Sequence, residues 1–113
     1  MELEHSSVAQ LAQEFKISGF CVLKQVIRPQ AIEAIRRAWE PIRDRDIERQ
    51  GEVPGRGRHR YNVQVPMMAP FVDAEIFEHP ALVELLSLIL GDEYVWTHYD
   101  SNIPLAGSDY QDW

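Results

Sequence analysis

Apolar residues near the start of the chain recur at the spacing of an α-helix. Four of them, at i, i+3, i+4 and i+7, predict a helix over residues 8–17: Val8, Leu11, Ala12 and Phe15. We expect Ser7 to cap this helix, with Gln10 completing a capping box, and Gly19 to end it. The pattern therefore predicts one buried helical face close to the N-terminus.

Two further helices are predicted from apolar stripes that begin at prolines. The stripe after Pro29 consists of Ile32, Ile35, Trp39 and Ile42. We expect Pro41 to kink this second helix or to divide it in two, because proline removes one backbone hydrogen bond. The third helix is predicted over residues 80–90, ended by Gly91. It is apolar almost all round, so it requires burial on more than one side.

Shorter runs predict strands at residues 20–26, 60–66 and 93–100, with another strand beginning at Tyr110. Alternation within residues 93–100 places four side chains on one face: Tyr94, Trp96, His98 and Asp100. Glycine, proline and polar residues predict loops at residues 51–57 and 102–108. Three helices and four or five short strands give the fold class α+β.

The length of 113 residues fits one domain, and since no repeat or linker divides it, residues 1–113 are interpreted as a single unit. A composition of 45% hydrophobic and 26% charged residues excludes collagen-like and wholly disordered classes. No apolar run approaches the length of a membrane span. The only cysteine, Cys21, cannot form an intramolecular disulfide, so a reducing cytoplasm is the expected location.

Charge is distributed unevenly along the chain. The net charge of −7 argues against nucleic acid or an anionic membrane as the main partner. Residues 1–60 hold all 11 Lys and Arg against nine acids, which gives +2, whereas residues 61–113 hold nine acids and no base, which gives −9. The acidic part is therefore expected to meet cations from another segment, a partner or a metal.

His98 and Asp100 form the first candidate for chemistry. They are separated by one residue, so on a strand both side chains point to the same side and can reach one metal ion. A two-His-one-carboxylate iron site needs a second histidine, and none follows Asp100 in the sequence. A strand histidine with a hydrogen-bonded neighbour is the favoured interpretation.

The second candidate is the basic cluster Arg56-Gly57-Arg58-His59-Arg60. Its guanidinium groups and backbone amides can gather round a phosphate or carboxylate. A solvated loop is the alternative, and it is the favoured one.

Cys21 lies in an apolar run and is interpreted as a core thiol. Four aromatic residues near the C-terminus either line a pocket or pack in the core: Trp96, Tyr99, Tyr110 and Trp113.

Four segments occur in an order that is typical of one family. They are residues 15–27, with a helix before Gly-Phe-Cys-Val-Leu; residues 28–37; residues 79–91; and residues 99–113. The last segment contains a Pro-x-x-Gly-Ser-x-x-Gln-x-Trp run, which is its most specific feature. In this order and with this run, the chain resembles the phytanoyl-CoA dioxygenase family along essentially its whole length.

The resemblance implies an oxidoreductase that depends on iron(II) and 2-oxoglutarate. Its fold would be a double-stranded β-helix, or jelly roll, preceded by N-terminal helices. In that family the Gln-x-Trp run is followed at once by the His-x-Asp that begins the iron site, whereas here Trp113 is the last residue. The resemblance therefore implies the N-terminal fragment of such a dioxygenase, with an incomplete jelly roll, no catalytic residue and no metal ligand of its own. His98 and Asp100 would lie upstream of the iron motif.

The resemblance also implies where a pocket would lie. His98, Asp100 and Gln111 are expected to face the cofactor or substrate pocket. Iron(II) and 2-oxoglutarate would be bound by the full-length parent, which hydroxylates a small molecule or an acyl thioester. A missing C-terminal half or a partner chain is expected to cover the apolar third helix and the edge strand at Tyr110. The alternative is a stand-alone, non-catalytic binding module derived from the family.

Overall fold

The computed structural model describes residues 5–110, and within that range it contains four helices and one two-stranded sheet. In chain order the elements are α1 (His5–Ser18), α2 (Pro29–Gln50), β1 (Arg60–Gln64), α3 (Ala74–Phe77), α4 (Pro80–Leu90) and β2 (Asp100–Pro104). The mixed α+β class predicted from the sequence is therefore confirmed. None of the helices within residues 5–110 has both the length and the apolar character needed to cross a membrane.

Helix α4 has the predicted bounds, because the local sequence specifies both of its ends. The Nδ1 atom of His79 accepts a hydrogen bond from the backbone N–H of Ala81 at 3.2 Å, and Pro80 occupies the first turn, where no N–H donor is needed. At the other end Gly91 has a φ of 85° and donates its N–H to the carbonyl of Ser87 at 2.9 Å.

Helix α1 is confirmed with one correction. It already includes His5, so Ser7 lies inside the helix, and the predicted cap by Ser7 with Gln10 is wrong. The C-terminal prediction is confirmed: Gly19 follows the helix with a φ of 81° and donates to the carbonyl of Phe15 at 2.8 Å.

Helix α2 continues through Pro41, so the predicted division of this helix is wrong. Proline removes one donor, and the carbonyl left without it belongs to Arg37, an exposed residue. Ion pairs along the exposed surface support the helix, with Glu33 accepting from Arg36 at 2.7 Å and from Arg37 at 2.9 Å.

The sheet pairs β1 with β2 in antiparallel register, from Arg60 opposite Pro104 to Gln64 opposite Asp100. The strand predicted at residues 60–66 is thus confirmed over its first five positions. The strand predicted at residues 20–26 is wrong, and so is the one at 93–100 apart from its last residue. A strand needs a partner to accept its backbone hydrogen bonds, and the partner of β1 is the segment that begins at Asp100.

The described elements form two groups. We call α1 and α4 the helical pair: they pack on each other and bury four apolar side chains, Val8, Ala12, Ala81 and Leu85. We call α2, β1 and β2 the sheet unit: α2 packs on β1, and Tyr61 and Val63 of β1 are buried. Cys21 is half-buried against the helical pair, in agreement with its interpretation as a core thiol.

Hydrogen bonds join the parts of the sheet unit. The indole N–H of Trp39 on α2 donates to Oγ of Ser101 on β2 at 3.1 Å, and that hydroxyl donates to the carbonyl of Val63 at 3.1 Å. Gln50 donates to the carbonyl of Asn62 at 3.0 Å. The hydroxyl of Tyr61 donates to the carbonyl of Gly51 at 2.8 Å. These contacts fix the end of α2 against β1.

The chain exposes more surface than a compact protein of its mass. Its accessible area is 8643 Å², whereas a folded monomer of this mass exposes roughly 6,400 Å². Its radius of gyration is 16.9 Å, against about 13 Å for a compact domain of this length. Part of the excess is apolar and lies beside the helical pair, since the side chains of Ile17 and Phe20 are 84% and 66% exposed.

Candidate functional site

One face of the two-stranded sheet carries a row of polar side chains. Successive residues of a strand point to opposite faces, so Asn62 and Gln64 lie on the face away from buried Tyr61 and Val63. The amide of Asn62 donates to the carboxylate of Asp100 at 2.9 Å and to the side-chain oxygen of Asn102 at 3.1 Å. These cross-strand bonds hold Asp100 in a defined position at the end of β2.

A small cavity of about 210 Å³ lies next to this polar face. Its walls come from the end of β1 with the segment after it, and from residues 96–100. His98 and Asp100 both line it, and Nδ1 of His98 lies 3.2 Å from the hydroxyl of Thr97. The structure thus brings together two of the three residues that were assigned to a pocket. The third, Gln111, lies outside the described residues, and the role of all three stays a prediction.

Aromatic residues build one side of the same region. The ring of Phe77 on α3 lies 4.5 Å from that of Trp96 and 5.6 Å from that of Tyr99, measured between centroids, with tilted planes. Burial raises the pKa of the Tyr99 hydroxyl. Of the other aromatic residues considered for a pocket, Tyr110 is fully exposed and Trp113 lies outside the described residues.

Helix α3, which positions Phe77, was not predicted from the sequence pattern. This helix has only four residues, too few for a periodic apolar stripe. A signal was present in Asp73, whose carboxylate accepts from the backbone N–H of Glu75 at 2.8 Å as a helix N-cap. An Asp two residues before a Glu is a weak pattern alone, because it also occurs in turns.

An ion pair ties α3 to the start of α2. Glu75 accepts from the backbone N–H of Arg28 at 2.9 Å and from its guanidinium through Nε at 2.9 Å and Nη2 at 2.8 Å. The side-chain hydrogen bond from Arg28 is the main cause that lowers the pKa of Glu75 to about 2. Glu75 belongs to the acidic part of the chain, residues 61–113, and Arg28 belongs to the first half, so this pair joins the acidic part to a cation from another segment.

Metal binding can be tested directly on the residues present. Within residues 5–110 no three His, Cys, Asp or Glu side chains are grouped so that they could hold a metal ion. His98 and Asp100 therefore do not complete an iron site among the described residues. The donor set of residues 5–110 does not fit iron.

The basic cluster at residues 56–60 divides into paired and unpaired arginines. Arg58 donates to Glu52 at 2.7 Å, and its backbone N–H donates to Asp109 at 2.9 Å. Arg60 donates to the carbonyl of Asp109 at 2.9 Å. Arg56 lies on the rim of a larger groove, on the side of the sheet unit where β1 meets α2. The predicted loop is therefore held to the segment after β2.

Comparison with known proteins was negative: no family model, no curated protein and no solved structure matches this chain. The resemblance to the phytanoyl-CoA dioxygenase family consequently rests on the order of the sequence motifs alone.

Proposed function

We propose that this chain supplies the N-terminal helices and first strands of a dioxygenase domain of the phytanoyl-CoA dioxygenase type. The complete domain would depend on iron(II) and 2-oxoglutarate and would hydroxylate a small molecule or an acyl thioester in the cytoplasm. In this proposal the described residues contribute part of the substrate or cofactor pocket, and the iron ligands come from other residues.

The observation that carries the proposal is the uncovered surface. The accessible area of 8643 Å² exceeds the expectation for a compact protein by about 2,200 Å². That difference is of the size buried in a large permanent interface. The two-stranded sheet is covered by α2 on one face, and a sheet gains further stability from additional strands. The strands of a jelly roll would provide them.

The polar face of the sheet supports the same proposal. In a closed β-structure one face of each strand points inward, so a binding site on that face needs polar groups held in place. Asp100 is held by Asn62, and it lines the same cavity as His98. The aromatic wall formed by Phe77 and Trp96 adds an apolar surface against which a substrate can pack.

The first step of the test is to read the encoding gene beyond the Trp113 codon. We expect the next codons to encode His-x-Asp or His-x-Glu in frame, with a further His and an Arg well downstream. A stop codon directly after Trp113 would overturn the proposal. The non-catalytic binding module would then be the explanation for the exposed apolar surface.

The second step tests the pocket in the protein encoded by that gene. With 2-oxoglutarate consumption as the readout, Asp100→Asn should raise the KM for the organic substrate by roughly tenfold, since it removes the charge that Asn62 holds in place. Asp92→Asn is the matched control, because Asp92 is exposed in the turn after α4. Equal effects of the two substitutions would contradict the pocket assignment while leaving the gene result intact.

A further inference from the structure

One concave surface of the sheet unit is lined by arginines. A groove of about 700 Å³ is lined by the C-terminal half of α2, by β1 and by residues 54–56 of the loop between them. We call it the arginine groove and define it by six of its lining residues: Arg45, Asp46, Arg49, Arg56, Arg60 and Gln64. It adjoins the cavity that His98 and Asp100 line, because Gln64 borders both and Asn62, which donates to Asp100 at 2.9 Å, also lines the groove.

The groove is positively charged in an acidic protein. Four guanidinium groups and one carboxylate give its lining a net charge of +3, whereas the whole chain carries −7. Such a local concentration of one sign attracts ligands of the opposite sign even when the net charge of the protein repels them.

Two arginines that make no ion pair within residues 5–110, Arg45 and Arg56, line this groove. Six arginines of the described chain are paired with acids: Arg28, Arg36, Arg37, Arg43, Arg49 and Arg58. Neither Arg45 nor Arg56 makes an ion pair or a hydrogen bond with another part of residues 5–110. Their donors are therefore available to a ligand.

The loop that carries Arg56 is held in one conformation. Gly57 donates to the carbonyl of Pro54 at 3.0 Å, and His59 donates to that of Glu52 at 3.0 Å. Gly57 has a φ of 107°, and a Cβ there would lie 3.3 Å from the carboxylate of Asp109, so only glycine fits this position. The groove is thus built by ordered backbone on both sides, which lowers the entropy cost of binding.

From these observations we propose that the arginine groove binds a small molecule that carries a phosphate group. Guanidinium groups from two different elements can each make paired hydrogen bonds to phosphate oxygens. The volume exceeds what one phosphate fills, and the half-buried Ile42 offers apolar contact to the remainder of the molecule. The negative end of the α2 dipole opposes an anion here, but it amounts to about half a charge against the net +3 of the lining.

Calorimetric titration with inorganic pyrophosphate tests this proposal on the purified protein. Substituting Arg45→Gln and Arg56→Gln together should weaken binding by at least roughly tenfold, because the two unpaired donors are lost. Lys16→Gln with Lys24→Gln is the matched control, since it removes the same charge beside the helical pair and should change the affinity less than about twofold. Circular dichroism of both double variants establishes that they are folded.

Three outcomes would overturn the proposal. The first is an absence of pyrophosphate binding to the unsubstituted protein. The second is an equal loss in both double variants, which would mean that net charge and not the groove attracts the anion. The third is citrate binding as tightly as pyrophosphate, which would make the groove a general site for carboxylates. None of these measurements involves iron or 2-oxoglutarate, so the result is independent of the proposed dioxygenase.

Discussion

In the helical pair, α1 and α4 meet through four buried apolar side chains, whereas in the sheet unit α2, β1 and β2 are joined by specific hydrogen bonds as well. Apolar burial has no direction, and α4 is apolar on nearly every side, so it can pack against more than one surface. A hydrogen bond such as that from Trp39 to Ser101 selects one register.

This difference between apolar packing and directional hydrogen bonds also suits the two groups to different functions. The sheet unit holds Asp100 and the arginines in fixed positions, as a binding site requires. The helical pair leaves apolar side chains exposed around it, as an interface requires before its partner arrives. The comparison predicts that substitutions in one group leave the other largely unchanged.

The largest effect is expected from Leu85→Ala in the helical pair. Leu85 is 4% exposed, and truncating a buried leucine lowers the free energy of unfolding by about 2–5 kcal/mol. Hydrogen exchange should show loss of protection for the amides of α1 and α4, with those of β1 and β2 still protected, because the groups share few contacts.

Leu88→Ala is the matched control in the same helix. Leu88 is 49% exposed, so its truncation should lower the free energy of unfolding by less than about 1 kcal/mol. If Leu85→Ala removed protection from β1 and β2 as well, the two groups would unfold as one, and the comparison between them would fail.

A smaller effect is expected from Tyr61→Phe in the sheet unit. The change keeps the buried ring and removes the hydroxyl that donates to Gly51 at 2.8 Å, so the free energy of unfolding should fall by about 1 kcal/mol. Exchange of amides in the last turn of α2 should accelerate first. Tyr110→Phe is the control, because Tyr110 is fully exposed. Equal stability of the two variants would mean that the sheet unit does not depend on this bond.

The elements that the sequence predicted correctly are those with local signals. Helix α4 begins with proline and ends with glycine, and each end is specified by residues within the same turn. The run at residues 20–26 has an apolar pattern that suits a strand, yet it lies beside the helical pair without a strand partner in the described chain. Strand formation depends on a distant segment, which a local pattern cannot identify.

In the candidate sites, too, the local sequence identifies some residues, and the others depend on how distant segments pack. The family resemblance alone placed His98 and Asp100 at one pocket, and they line one cavity although most of residues 93–100 form no strand. The basic cluster with Arg56 and Arg60 was one candidate for a phosphate or carboxylate site, but the sequence favoured a solvated loop and did not predict the arginine groove. Arg45 belongs to α2, and its place in the groove depends on how α2 packs on β1.

The smallest effect is expected from the ion pair between Arg28 and Glu75, which links the start of α2 to α3. Glu75 has a pKa of about 2 in the folded chain against an ordinary value of 4.5. Because the folded value is the lower one, the pair stabilises the fold fully above pH 4.5, and this contribution is lost as the pH falls toward 2. An NMR titration of the Glu75 carboxyl should therefore have its midpoint near 2.

Substituting Arg28→Ala tests the cause of that low pKa. The guanidinium is removed, but the backbone N–H of residue 28 still donates to Glu75, so the midpoint should rise only part of the way to 4.5. Arg45→Ala removes the same charge from the arginine groove and should leave the midpoint in place. Since Arg28 is exposed, the change in unfolding free energy should be small. A midpoint near 4.5 in the unsubstituted protein would show that α3 is not tied to α2, which leaves the aromatic wall at Phe77 without this support.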